Sequence, residues 1–299
     1  MSPDLSVIPQ HLTLNAADGY PLVATLYTAP AVPCRAHLLM AGATGVPQRF
    51  YRRFAEHAAR EGFTTLTLDY RGIGLSKPAQ LKGFDMNYLD WASLDLAAAV
   101  DHMSSDAVPL FMVGHSFGGH AFGLLNNTDR IERFCTFATG AGWHGWMPPA
   151  ERLRVWTMWN VIGPVLTRWK GYLPWSLLGM GEDLPLGVYQ QWRHWCSFPR
   201  YFFDDPQMQH LNERFAAVKT PIRAVNALDD HWAPPASRDA FMAAYRQAPQ
   251  EHITLDPSQL ALKSIGHMGY FRPHAAQLWG DTLDWFQSGQ PSSRTSRAT

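Results

Sequence analysis

Short apolar runs alternate with longer amphipathic stretches from Ala36 onward, and that rhythm predicts a mostly parallel sheet covered by helices. Residues 37–40, 64–68 and 110–113 are strand-like runs, while 49–61 and 88–103 carry apolar positions at helical spacing, the first ended by Gly62. Ahead of them, 6–14 and 20–27 read as two strands joined by a turn at Ala17-Asp18-Gly19, an antiparallel edge. A further helix is expected over 119–125.

The rhythm breaks at about Gly142. Residues 143–219 hold eight of the twelve tryptophans (143, 146, 156, 159, 169, 175, 192 and 195), several prolines and helical patches without regular strand signal. This stretch is expected to be an inserted helical lid. The α/β pattern then resumes with strand-like 222–227 and 252–255 and helical 235–248 and 274–286. The core is thus expected to be discontinuous, 1–142 plus 220–287. The last residues, 288–299, are small, polar and basic and predict a disordered tail.

Composition narrows the function classes. Lys plus Arg and Asp plus Glu number 25 each, which removes the basic footprint of a nucleic-acid binder or an anionic-membrane protein. Cys34, Cys135 and Cys196 are an odd number without CxxC or Cys/His zinc spacing, so neither a disulfide framework nor a structural metal is expected. The N-terminal MSPDLSVIPQ lacks the basic and apolar regions of a signal peptide, and no run approaches a membrane span. A reducing, cytoplasmic location is the expectation. Self-association stays open.

The strongest chemical signal is Gly114-His115-Ser116-Phe117-Gly118-Gly119, preceded by an apolar strand and followed by a helix. A serine on so tight a turn needs small neighbours, and its hydroxyl then projects above the sheet as a candidate nucleophile. The amide of Phe117 is the first candidate oxyanion donor. A serine hydroxyl requires a base oriented by a carboxylate, and in this architecture both follow it in sequence. His267, in the glycine-flanked Ile265-Gly266-His267-Met268-Gly269, is the preferred base over His274, which is explained by its place at a helix start. His115 and His120 flank the serine and are expected to line the elbow. For the acid, Leu228-Asp229-Asp230-His231 offers two adjacent aspartates, with Asp230 preferred and Asp229 the alternative. The small-residue loop Ala41-Gly42-Ala43-Thr44-Gly45 suits a second oxyanion donor, the amide of Ala43 or else that of Thr44. Arg71-Gly72-Ile73-Gly74-Leu75-Ser76 lacks the third glycine of a dinucleotide loop and a Walker lysine, so no nucleotide site is expected.

Together these segments resemble the α/β-hydrolase superfamily over residues 7–286. Leu68-Asp69-Tyr70-Arg71-Gly72-Ile73-Gly74-Leu75-Ser76 is similar to that family's DxRGxGxS loop, and Gly266-His267-Met268-Gly269 to its histidine loop. More narrowly, AGATGVPQ and DDHWAPP resemble a bacterial group of α/β hydrolases without assigned substrates. Ala41-Gly42 departs from the commoner His-Gly before the oxyanion donor. Ser116 stands where haloalkane dehalogenases and epoxide hydrolases have an aspartate, so those activities are not expected.

The resemblance implies an eight-stranded, mostly parallel sheet with helices on both faces, and a serine esterase or thioesterase needing no metal or cofactor. Its partner would be a small-molecule ester, with no nucleic acid and no integral membrane association. Transfer of the acyl group to another acceptor, and a non-catalytic binding protein on the same fold, are the rival readings. Three roles are open for the tryptophans of 143–219: lining an apolar acyl pocket, packing the insertion, or forming an exposed patch against lipid or another subunit.

Overall fold

The computed structural model describes residues 6–288. Its strands are β1 (Ile8–Asn15), β2 (Pro21–Thr28), β3 (Ala36–Ala41), β4 (Phe63–Leu68), β5 (Leu110–His115), β6 (Arg133–Phe137), β7 (Ile222–Ala227) and β8 (Gln250–Leu255). They form one eight-stranded sheet in the order β1-β2-β4-β3-β5-β6-β7-β8. The expected hairpin is present, with Gly19 at φ +85° in its turn, and β2 joins β4 antiparallel. All remaining pairings are parallel.

Alternation along the central strands explains why they read as unbroken apolar runs. Leu39 and Met112 belong to one buried layer, while Leu38, Met40, Phe111 and Val113 belong to the other. A strand covered on both faces has no polar side to reveal its period. Helix α1 (Arg52–Arg60) buries Phe54, Ala55, Ala58 and Ala59, the i, i+4 stripe that its sequence predicts.

Several expectations shift in detail. The helix expected over 88–103 is a π-helical turn, Trp91–Leu96, running into α2 (Ala97–Met103). The helix after the serine is α3 (Phe117–Ala121), which begins two residues earlier than expected and passes at Phe122 into a single 3-10 turn. The strand β6 has no counterpart among the runs singled out in the sequence. Its Arg133 and Thr136 break the apolar run, although every residue after Arg133 in the strand is buried.

Residues 143–219 carry α4 (Pro149–Thr157), α5 (Gly163–Lys170), α6 (Leu186–Trp195) and α7 (His210–Ala216), with only an isolated bridge between Leu173 and Leu184. A π-helical turn, Met158–Ile162, links α4 to α5. The chain returns to the core with β7, α8 (Pro235–Met242), shorter than the expected 235–248, and β8. Helix α9 (Gln277–Gln287) then covers one face. Of the expected tail, Ser288 is exposed and 289–299 lie outside the described residues.

Candidate active site

The end of β5 and the start of α3 fix Ser116. Its backbone has φ +52° and ψ −108°, a conformation that non-glycine residues rarely adopt. Close packing on both sides holds it there: a Cβ on Gly114 would lie 2.6 Å from the Gly118 carbonyl carbon, and one on Gly118 would lie 2.1 Å from the Ala41 oxygen. The strand and the helix therefore approach each other only through glycine. The Ser116 amide donates to the Phe137 carbonyl of β6 at 2.9 Å, and Thr139 Oγ1 donates to the Ser116 carbonyl at 2.9 Å.

The loops after β7 and β8 bring His267 and Asp230 to this turn. Ser116 Oγ and His267 Nε2 are 3.1 Å apart. On the other side of the imidazole, Nδ1 lies 3.1 and 3.0 Å from Oδ1 and Oδ2 of Asp230. Asp230 is wholly buried, and its Oδ1 also accepts from the amides of Trp232 and Ala233, each at 3.0 Å. A carboxylate fixed by two amides holds the Nδ1–H of the imidazole, which leaves Nε2 free to accept from the serine hydroxyl.

Asp229 is turned elsewhere. Its carboxylate accepts from the amides of Ile265, at 2.9 Å, and Gly266, at 3.0 Å, so it braces the loop that carries His267. His274 is exposed and is not brought to Ser116. His120 is buried with Nε2 on the Gly140 carbonyl at 2.8 Å, and burial pushes its imidazole down to about 4.

The loop after β3 departs from expectation. The Ala43 amide donates to Tyr51 Oη at 2.7 Å, and that hydroxyl lies 2.8 Å from His115 Nδ1. His115 Nε2 in turn meets the backbone carbonyl of His267 at 2.8 Å. A carbonyl only accepts, so Nε2 carries the proton and Nδ1 accepts from Tyr51. Burial, and next the nearby His267, push the His115 imidazole down to about 3, which keeps it neutral. Tyr51 comes from the turn leading into α1 and sits behind the loop, so the amide expected to serve as oxyanion donor is engaged. Thr44 is anchored instead through its side chain, which hydrogen-bonds Tyr88 Oη.

Ser116 and His267 line a cavity of about 300 Å³ together with Ala43, Thr44, Val46, Arg154, Trp175, Met180, Trp192, Trp232 and Met268. The aromatic wall reaches His267 directly, since the Trp232 ring centroid is 5.9 Å from that of His267. The tryptophans of 143–219 divide: Trp159, Trp175, Trp192 and Trp195 are buried, whereas Trp156 and Trp169 are exposed.

The model of the family described as serine aminopeptidase, S33, matches residues 34–173. Monoglyceride lipase of Saccharomyces cerevisiae is 29% identical over 156 residues, covering 50% of this chain and 47% of that protein. The match thus spans about half the length of that curated relative. Across the whole fold, a soluble variant of the same yeast lipase, solved with a substrate analogue, superposes with a TM-score of 0.68 at 17% identity, covering 98% of this chain and 99% of that one. The chain has the α/β-hydrolase fold. A Pyrococcus furiosus esterase has the same fold, with a TM-score of 0.62 at 13% identity and coverage of 96% and 93%. Among the described residues no group of three His, Cys, Asp or Glu is placed to hold a metal, and no helix there is long and apolar enough to cross a membrane. Its three cysteines are free, Cys135 and Cys196 buried and Cys34 exposed.

Proposed function

We propose that this protein is a serine hydrolase that cleaves a carboxylic ester or thioester through an acyl-enzyme on Ser116. The observation that carries the reading is the continuous hydrogen-bonded line from Ser116 Oγ through His267 to buried Asp230. His267 takes the serine proton as Oγ bonds to the substrate carbonyl carbon, and returns it to the leaving alcohol or thiol as the carbonyl re-forms. Water then repeats the sequence, releasing the acid and free Ser116. Asp230 holds the imidazole in the tautomer this requires.

The developing oxyanion is met by the Phe117 amide and by the Thr44 amide in place of Ala43, each donor worth about 3 kcal/mol. Thr44 lines the cavity beside Ser116, and its bond to Tyr88 fixes the loop. Residues 143–219 act as a lid, supported by Trp175 and Trp192, which reach from that stretch into the cavity wall. The apolar character of the wall favours an uncharged substrate of small to medium size. The names of the relatives, a lipase and an esterase among them, agree with ester substrates.

The test is turnover of p-nitrophenyl esters and an acyl thioester by the wild type and Ser116→Ala. Release of acid by the wild type with a loss of at least about 10³-fold in Ser116→Ala is expected. Equal turnover by both proteins would contradict the assignment.

A further inference from the structure

Ser116 and His267 face a second, much smaller chamber of about 30 Å³, whose lining includes Ala138, Val155, Trp159 and Cys196. It has room for about two water-sized groups. Trp159 and Cys196 also line a separate outer cavity of about 440 Å³. Trp159 and Cys196 are the residues common to both linings, which puts them between the small chamber and a much larger space.

Trp159 stands out among the residues of that wall. It is 3% exposed, yet its indole Nε1 is buried without a hydrogen-bond partner. Buried indole N–H groups ordinarily find an acceptor, so this ring is held by shape alone, edge-on to Trp192 at 4.8 Å and tilted against Tyr189 at 5.8 Å. It lies in the π-helical turn Met158–Ile162, and such turns insert an extra residue into a helix and recur at functional sites.

Resting on the reading of Ser116 as an acylated serine, we infer that the small chamber holds the acyl group and that Trp159 is its end wall, a specificity-determining residue. The acyl half of the substrate is short, about two to four carbons, and the leaving group occupies the 300 Å³ cavity that also opens on Ser116. Removing the indole joins the chamber to the outer cavity and admits longer chains.

The experiment is kcat/KM for p-nitrophenyl esters from acetate to decanoate with the wild type, Trp159→Ala and Val155→Phe. Labelling of each protein by a fluorophosphonate reports an intact Ser116. One misplaced methylene in a closed pocket costs roughly 10-fold or more, so wild-type kcat/KM should fall at least about 10-fold between butyrate and octanoate. Trp159→Ala should raise the octanoate-to-butyrate ratio at least about 10-fold, while Val155→Phe, which fills the chamber, should lower the butyrate-to-acetate ratio by a similar factor. If Trp159→Ala does not fold, the Val155→Phe ratio decides. Labelled proteins whose chain-length profiles run parallel would overturn the wall alone. A wild type that is neither labelled nor active would overturn both the wall and the acyl-enzyme.

Discussion

Tyr51 Oη lies 2.8 Å from His115 Nδ1, and through this contact the loop after β3 is joined to the loop that carries His267. The hydroxyl accepts the Ala43 amide, and His115 Nε2 donates to the His267 carbonyl. Two loops far apart in sequence are thus held by one buried pair beneath Ser116. Replacing Tyr51 by Phe leaves both the Ala43 N–H and His115 Nδ1 without partners. We expect a loss of about 1–3 kcal/mol, seen as a lower urea midpoint at unchanged slope. A midpoint equal to that of the wild type would show that the pair contributes nothing to holding the loops.

His115 and His120 govern the acid side of the stability profile. Their imidazoles are held at about 3 and about 4, below the ordinary value of 6.5, so the unfolded chain binds protons that the fold does not. Their contribution is complete above pH 6.5 and is lost as pH falls towards those lower values. Stability should drop by roughly 2–3 kcal/mol between pH 6 and 5, above the range where most carboxylates titrate. Urea midpoints at pH 7, 6 and 5 measure it, and a flat profile would contradict neutral burial of the two rings.

The adjacent aspartates should separate sharply. Asp230→Asn replaces the carboxylate that fixes the His267 tautomer and is expected to lower kcat by about 10⁴-fold with little change in fold. Asp229→Asn weakens two amide contacts at Ile265 and Gly266, costing about 1 kcal/mol of stability and less than about 10-fold in kcat. Steady-state kinetics of the two variants side by side test this. Equal losses, or a larger loss at Asp229, would reverse the assignment.

Legibility followed physical cause. The meeting of Ser116 and His267 is legible because each sits on a turn flanked by glycines at fixed places, and that pattern is written in the sequence. The choice between Asp229 and Asp230 depended on which carboxylate the amides of 265 and 266 would capture, a tertiary contact that spacing alone does not resolve. β6 leaves no clear signal because Arg133 and Thr136 interrupt its apolar run, and its burial is supplied by the layers on the two faces of the sheet, Phe134 lying in one and Cys135 and Phe137 in the other. Tyr51 left no signal at all: within an amphipathic segment it reads as one more core aromatic, and its hydroxyl acquires meaning only beside Ala43 and His115.

The central claim is that Ser116 is an activated nucleophile, and the most direct measurement is fluorophosphonate labelling of the wild type and Ser116→Ala with mass mapping of the modified peptide. The account predicts a single adduct on Ser116 in the wild type and none in Ser116→Ala. A folded wild type that stays unlabelled, or equal labelling of both proteins, would contradict it.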